Sequence, residues 1–247
     1  MFHSTLPQGA PDLMRASDFR RYLAQGGAMP RPGGANSRLG ELPESLLQDL
    51  MRFEHPGQHG ELLEVLAACV RHTQDLAVHV QWADFVLTLS LFPAQRLVYA
   101  PVPMEQVLGG PLAALQVLQV ERATLRPPGD SETALVGDPT LYHPLHPVLW
   151  SIALRGPRDT LLPEISGQAA YRVAPGLLLN RLEMPNAMAA CISHLRRQTC
   201  NLREICALPG MDRARAARML NALYLQAGLI VSRTHPAATN EGWFGYR

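Results

Sequence analysis

Apolar residues recur every three or four positions in two segments that follow residue 40, and this spacing predicts two amphipathic helices. The first segment is ELPESLLQDLMRF and the second is GELLEVLAACVRHT. The pattern then changes to strict alternation in DLAVHVQW and DFVLTLSLF, which is typical of β-strands. After a turn at Pro93, QRLVYA predicts a third short strand.

Helical spacing returns in MEQVLGGPLAALQVLQV, although Gly109-Gly110-Pro111 should kink or break that helix. ERATLRP is then expected to return to the sheet as an edge strand. Residues 39–128 are therefore predicted to form a small α+β interaction domain with an antiparallel sheet. Turn-forming residues cluster in PPGDSETALVGDP, so a linker is expected over 127–139.

Residues 1–38 are rich in Pro, Gly, Ser and Ala and poor in large apolar groups. Such a composition offers little burial to offset the entropy of ordering, which predicts a flexible arm. Within it, Ser17 could cap a short helix that Gly26 would end, with Phe19 and Leu23 one turn apart. We interpret this stretch as a transient helical turn, with a docking helix as the alternative.

A partial duplication organises the C-terminal part of the chain. Three short blocks of the first copy recur in the same order and at a near-constant offset in the second: Leu154-Arg155 as Leu195-Arg196, Leu162–Ile165 as Leu202–Ile205, and Leu179–Leu182 as Leu220–Leu223. Two related helical modules are therefore predicted, at 140–185 and 186–247. The first is a degenerate helix-turn-helix-like module, because Pro175 interrupts the counterpart of its third helix.

The second copy predicts a winged helix. Its three helices are expected over Asn186–Gln198, Leu202–Leu208 and Arg213–Gln226, with Asp212 capping the third. LIVSRTH then alternates as a strand, PAATNE is a loop, and GWFGYR can return as a second strand. A hairpin in this position would form the wing.

Arginines are concentrated in this module and are the candidate binding residues. They are Arg196, Arg197, Arg203, Arg213, Arg215, Arg218 and Arg233. Helical spacing places Arg215, Arg218 and Ala222 on one face, from which guanidinium groups could contact phosphates or guanine edges. The helix is poor in Asn, Gln, Ser and Thr, however, and the same fold serves in many protein–protein modules. DNA binding and protein binding both remain open.

Composition narrows the choice of partner. The formal net charge is +1 and charged residues make up 17% of the chain, so no long-range field marks the whole molecule as a polyanion binder. The chain contains no lysine, which excludes Schiff-base chemistry, a lysine nucleophile and a phosphate-binding P-loop. No export signal or membrane-length apolar run is present, so a cytoplasmic protein without membrane contact is expected.

Candidate chemical sites are few. Cys191, His194, Cys200 and Cys206 contain the atoms of a zinc site, but their spacing matches no standard zinc motif, so reduced core cysteines are the favoured interpretation. The pairs His55/His59 and His143/His146 lack a nearby carboxylate or cysteine set. No common catalytic or nucleotide-binding motif occurs. We therefore expect no enzyme activity, cofactor or metal.

The segment LTLSLFPAQRLVYAPVPMEQVLGGPLAALQVLQVERATLRPP resembles the PATAN type of bacterial signalling domain. The likeness extends over about residues 41–128 and is carried by Leu89–Phe92, Leu97–Ala100, Gly110, Ala113, Leu115 and Leu118. Two features depart from that family: Pro93-Ala94-Gln95 replaces a turn that tends to contain glycine, and the helical hairpin at 41–73 is long.

The resemblance has no catalytic residues to carry over. It implies a regulatory role through protein contacts in the bacterial cytoplasm, often near two-component signalling or surface motility. The combined expectation is a non-enzymatic bacterial regulatory protein that binds a protein partner. The alternative is a DNA-binding regulator that uses Arg213, Arg215 and Arg218.

Overall fold

A computed structural model of the chain describes residues 13–25, 43–53, 62–131, 135–179 and 182–240. The chain divides into two compact units, Met1–Leu145 and His146–Arg247. Helices and an antiparallel five-stranded sheet occur together in the first unit, which confirms the α+β fold class.

The first unit begins with the predicted helices and strands. Helices α2 (Glu44–Phe53) and α3 (Leu62–His72) pack against each other and precede strands β1 (Leu76–Trp82), β2 (Phe85–Phe92) and β3 (Leu97–Tyr99). The register of β1 and β2 pairs Leu76 with Leu91, Val78 with Leu89 and Val80 with Leu87. These side chains therefore share one buried face of the sheet.

Two strands at the edges of this sheet differ from the sequence prediction. Helix α4 (Met104–Gly109) ends at the Gly-Gly-Pro break and does not resume, because Gly110 is extended and the chain enters strand β4 (Gln116–Arg122) after a single 3₁₀ turn. Pairing with β1 decides this conformation. Strand β5 (Tyr142–Pro144) pairs with β3, so the order is β4-β1-β2-β3-β5. The sheet thus extends past the predicted boundary at residue 128.

Part of the predicted flexible arm is an ordered helix. Helix α1 (Ala16–Ala24) packs on β2, with Phe19 and Ala16 buried. It begins after Arg15 rather than at a Ser17 cap, because Arg15 forms a backbone bridge with Phe85. The remaining parts of that arm, 1–12 and 26–38, lie outside the described residues.

The second unit contains helices α5 (Leu145–Arg155), α6 (Asn186–Leu195), α7 (Leu202–Cys206) and α8 (Arg213–Leu225). The last three lie where the winged-helix pattern predicts helices. The degenerate module at 140–185 differs from its prediction. Beyond α5, the block Leu162–Ile165 forms a turn, and the next described element is strand β6 (Gln168–Val173). The first duplicated block thus ends a helix in both copies, at α5 and α6, whereas the second block is a turn in the first copy and helix α7 in the second.

The sheet of the second unit has the order β7-β6-β8. Strand β7 (Leu229–Ser232) lies in the predicted first wing strand, and the two-residue β8 (Thr239–Asn240) lies in the predicted loop. Strand β6 pairs with both, so β7 and β8 do not form a hairpin with each other. The segment GWFGYR, predicted as the second wing strand, lies outside the described residues.

Across the described ranges, no helix combines the length and the apolar composition that crossing a bilayer requires.

Candidate functional site

Local side-chain caps position helices α7 and α8. Asn201 and Glu204 form a reciprocal capping box at the start of α7, with both bonds at 2.8 Å. At the start of α8, the Asp212 carboxylate accepts a hydrogen bond from the backbone N–H of Arg215 at 2.7 Å. These caps define where each helix begins, and so they place Arg203 and Arg213 in the first turns.

Helix α8 is buried beyond its first turns. Eight of its thirteen residues are buried: Ala216, Ala217, Met219, Leu220, Asn221, Ala222, Leu223 and Leu225. On the predicted face formed by Arg215, Arg218 and Ala222, Arg215 is exposed and Arg218 is half-buried, while Ala222 is fully enclosed. The exposed side chains of α8 are those of Arg213 and Arg215, in its first turn.

Four of the seven candidate arginines donate hydrogen bonds to backbone carbonyl groups. Arg196 bonds to Leu177 at 2.8 Å, and Arg218 bonds through Nε to Arg158 at 3.1 Å. The guanidinium of Arg215 bonds to the carbonyl of Gly210. Backbone carbonyls in loops have no partner in a helix or β-sheet, and these guanidinium groups supply one. We call arginines that hold a loop in this way structural clamps.

Arg233 is the most heavily used of these four arginines. Its guanidinium donates to the carbonyls of Glu164 at 2.8 Å and Gln168 at 2.9 Å, and also to that of Ser166. Three acceptors within five residues require the chain at 164–168 to curve around one side chain. Arg233 therefore holds the segment that leads into β6.

The other three candidate arginines, Arg197, Arg203 and Arg213, are exposed. Arg213 stands at the first position of α8 and lines a cleft of about 180 Å³. Arg203 directly follows Leu202, which lines the same cleft. Arg197 lies just past the end of α6. Of these three arginines, Arg213 is the one that lines the concave surface.

The cleft has an apolar floor and a polar rim. Buried Ala169, Tyr171, Leu202 and Ala217 form its floor. The rim carries one cation and one acid together with small polar groups, and its members are Arg213, Asp159, Thr160, Ser166 and Gly167. The Tyr171 hydroxyl donates to the carbonyl of Ile165 at 2.7 Å, so it serves the structure of the cleft. An apolar side chain next to a carboxylate would suit this arrangement.

The sequence analysis missed the loop that forms one wall of this cleft. Asp159 and Thr160 lie between two blocks of the duplication, at positions that align with the connection between the first two predicted helices of the second copy. The available signal was Asn221, a polar residue between the apolar residues Leu220 and Ala222. Its buried amide bonds to the backbone of this loop.

Cys191 and Cys200 are buried in the hydrophobic core. Burial raises the pKa of the Cys191 thiol to about 12, with the neighbouring Cys200 adding to the effect, and burial also raises the pKa of Cys200. Within the described ranges, no group of three or more His, Cys, Asp or Glu side chains is placed to hold a metal ion. Such thiols are poor ligands and poor nucleophiles at neutral pH.

Comparison with known proteins finds no match to a protein-family model, to a curated protein or to a solved structure.

Proposed function

We propose that this chain is a non-enzymatic regulatory protein of the bacterial cytoplasm and that it acts by binding another protein. The observation that carries the proposal is the cleft beside α7 and α8, where exposed Arg213 borders an apolar floor. Arginine beside a concave apolar surface is a frequent composition of protein-binding hot spots. The surface fits a partner segment that presents an apolar side chain and a carboxylate.

A specific observation also favours a second candidate, a DNA-binding regulator. Arg213 and Arg215 are exposed in the first turn of α8, the region that contacts base edges in helix-turn-helix proteins. Arg215 retains guanidinium N–H groups beyond the one bonded to Gly210. Burial of α8 beyond Arg218 limits how deeply the helix can enter a groove, which favours the protein partner.

A salt titration separates the two candidates. Fluorescence anisotropy with a random-sequence DNA duplex measures affinity at two salt concentrations. If three arginines contact phosphates, affinity should fall roughly 40-fold between about 50 and 200 mM salt. If the chain binds protein instead, we expect no measurable DNA affinity at the lower concentration. Tight, salt-sensitive binding would support the DNA-binding candidate.

Matched variants test the surface itself. Arg203→Ala/Arg213→Ala removes the cation that lines the cleft and an exposed cation of α7, and Arg155→Ala/Arg172→Ala removes two exposed cations elsewhere in the second unit. A partner captured from a bacterial lysate should be retained by the wild-type protein and by the control variant. It should be lost from Arg203→Ala/Arg213→Ala. Equal capture by both variants contradicts a role for this cleft.

A further inference from the structure

A small hydrophobic cluster holds helix α1 against the sheet of the first unit. Ala16 and Phe19 pack on Val86, and the partly buried Leu23 and Leu118 complete the cluster. Ala16 and Phe19 are the buried residues of the helix, while much of the rest of it faces solvent. The helix is thus attached through the spacing i, i+3 and i+7 along one narrow stripe.

Polar contacts anchor the start of α1 and set its orientation. The backbone N–H of Ala16 donates to the carbonyl of Asp84 at 2.8 Å, and the N–H of Val86 donates to the carbonyl of Met14 at 2.9 Å. One turn into the helix, the guanidinium of Arg20 donates to the Gln81 side chain at 2.6 Å. The sheet surface under α1 therefore binds a basic side chain at i+4 as well as the apolar stripe of the helix.

The sheet surface next to the helix carries a hydrogen-bonded network of its own. His79 bonds through Nδ1 to the Thr88 hydroxyl at 2.9 Å and through Nε2 to the Glu121 carboxylate at 3.2 Å. The Phe19 ring packs on the His79 imidazole, with ring centroids 5.2 Å apart. Because these groups bond to one another across three strands, departure of α1 would not leave their bonds unmade.

Helix α1 depends on packing against this sheet surface for its own stability. It has nine residues and no side-chain N-cap, and isolated helices below roughly 12 residues are marginal in water. Formation of α1 and its docking on the sheet are therefore coupled. An amphipathic helix with a matching apolar stripe can compete with α1 for the same sheet surface.

We propose that the surface formed by Gln81, His79, Val86, Thr88 and Leu118 is a docking site for a partner's amphipathic helix and that α1 is its internal competitor. The partner helix would carry a small residue, an aromatic residue and a leucine at i, i+3 and i+7, with arginine at i+4. This site belongs to the first unit and is independent of the arginine-bordered cleft.

The test uses a fluorescent synthetic peptide of residues 13–25, LMRASDFRRYLAQ, as the partner mimic. In wild-type protein, α1 occupies the site and should suppress binding of the peptide. In full-length Phe19→Ala, α1 is weakened, and the peptide should bind at least about tenfold more tightly than it binds wild type. A peptide with alanine in place of its phenylalanine should bind neither protein.

Arg21→Ala is the matched protein control, because the Arg21 side chain is exposed on the same helix and, among the described residues, pairs with Asp18 one turn away. It should behave as wild type. Equal peptide binding to wild type and Phe19→Ala, or no binding to Phe19→Ala, would overturn the proposal.

Hydrogen exchange on the unmodified protein gives a second test that does not depend on how a variant folds. We expect the amides of α1 to exchange at least about 100-fold faster than the paired amides of β1 and β2, because α1 opens locally. Equal protection of helix and sheet would mean that α1 leaves only when the unit unfolds, and this result would also overturn the proposal.

Discussion

Asn221 shows how one buried polar residue organises the second unit. Its side chain is fully buried, and its Oδ1 accepts from the N–H of Leu162 at 2.9 Å while its Nδ2 donates to the carbonyl of Thr160 at 2.9 Å. The backbone N–H and C=O groups of a loop lack the hydrogen-bond partners that a β-sheet would provide. The side-chain amide of Asn221 supplies a partner for one of each. The wall of the cleft is thereby tied to the middle of α8.

Replacing Asn221 with alanine should lower the free energy of unfolding by about 3 kcal/mol, because two hydrogen bonds are lost and buried backbone groups stay unsatisfied. Urea denaturation followed by circular dichroism measures this loss. Ser193→Ala is the control, since the Ser193 residue is exposed and its hydroxyl, within the described ranges, bonds to Ala189 of its own helix. A loss below about 1 kcal/mol for Asn221→Ala would show that water replaces the amide.

At the scale of elements, a carboxylate joins α2 to α3. Asp49 Oδ2 accepts from Arg71 at 2.6 Å and bonds to His72 Nε2 at 2.7 Å. Burial by itself would raise the pKa of Asp49, but the His72 hydrogen bond and the Arg71 charge outweigh it and hold the pKa below its ordinary value. The charged form of Asp49 therefore stabilises the folded helix pair.

This lowered pKa has a consequence for stability at acidic pH. The stabilisation is complete above the unfolded-state pKa of about 4 and is lost as pH falls through the lower folded-state value. Asp49→Asn should therefore cost about 1 kcal/mol at pH 5, and its difference from wild type should shrink at more acidic pH. Urea denaturation at stepped pH measures it. Asp18→Asn, which removes the charge of an exposed local pair, is the matched control variant.

At the scale of the whole molecule, the chain consists of two units, each with its own antiparallel sheet. Every strand of the β7-β6-β8 sheet comes from the second unit, and so do helices α6 to α8. The described strands of this sheet thus pair with one another within the second unit. A unit of this size has the surface-to-volume ratio of an independently folding domain.

A fragment of residues 146–247 should accordingly fold by itself. We expect one cooperative thermal transition and dispersed amide resonances. Arg233→Ala in the same fragment should lower the midpoint, because three carbonyls lose their shared donor. Arg197→Ala, which removes an exposed side chain, should leave it unchanged. A fragment without a cooperative transition contradicts the assignment of a separate core.

The sequence by itself determined the elements whose signals are local. Strict alternation predicts β1 and β2, and the predicted starts of α6, α7 and α8 at Asn186, Leu202 and Arg213 match those of the structure. Asp212 caps α8, as the sequence predicts. A cap or a hydrophobic period acts over only a few residues, which is why a sequence shows it.

Tertiary structure alone decided the rest. Residues 116–120 have helical spacing but form β4 together with Glu121 and Arg122, which the sequence places in an edge strand, because an available edge of β1 supplies hydrogen bonds. Strand β6 likewise lies between β7 and β8, because each of its two edges supplies hydrogen bonds to one of them. Whether an arginine clamps a loop, as Arg233 does, or borders a cleft, as Arg213 does, depends on which distant carbonyls lie within its reach. Partners far apart in sequence leave no periodic signal, so only the folded chain distinguishes these outcomes.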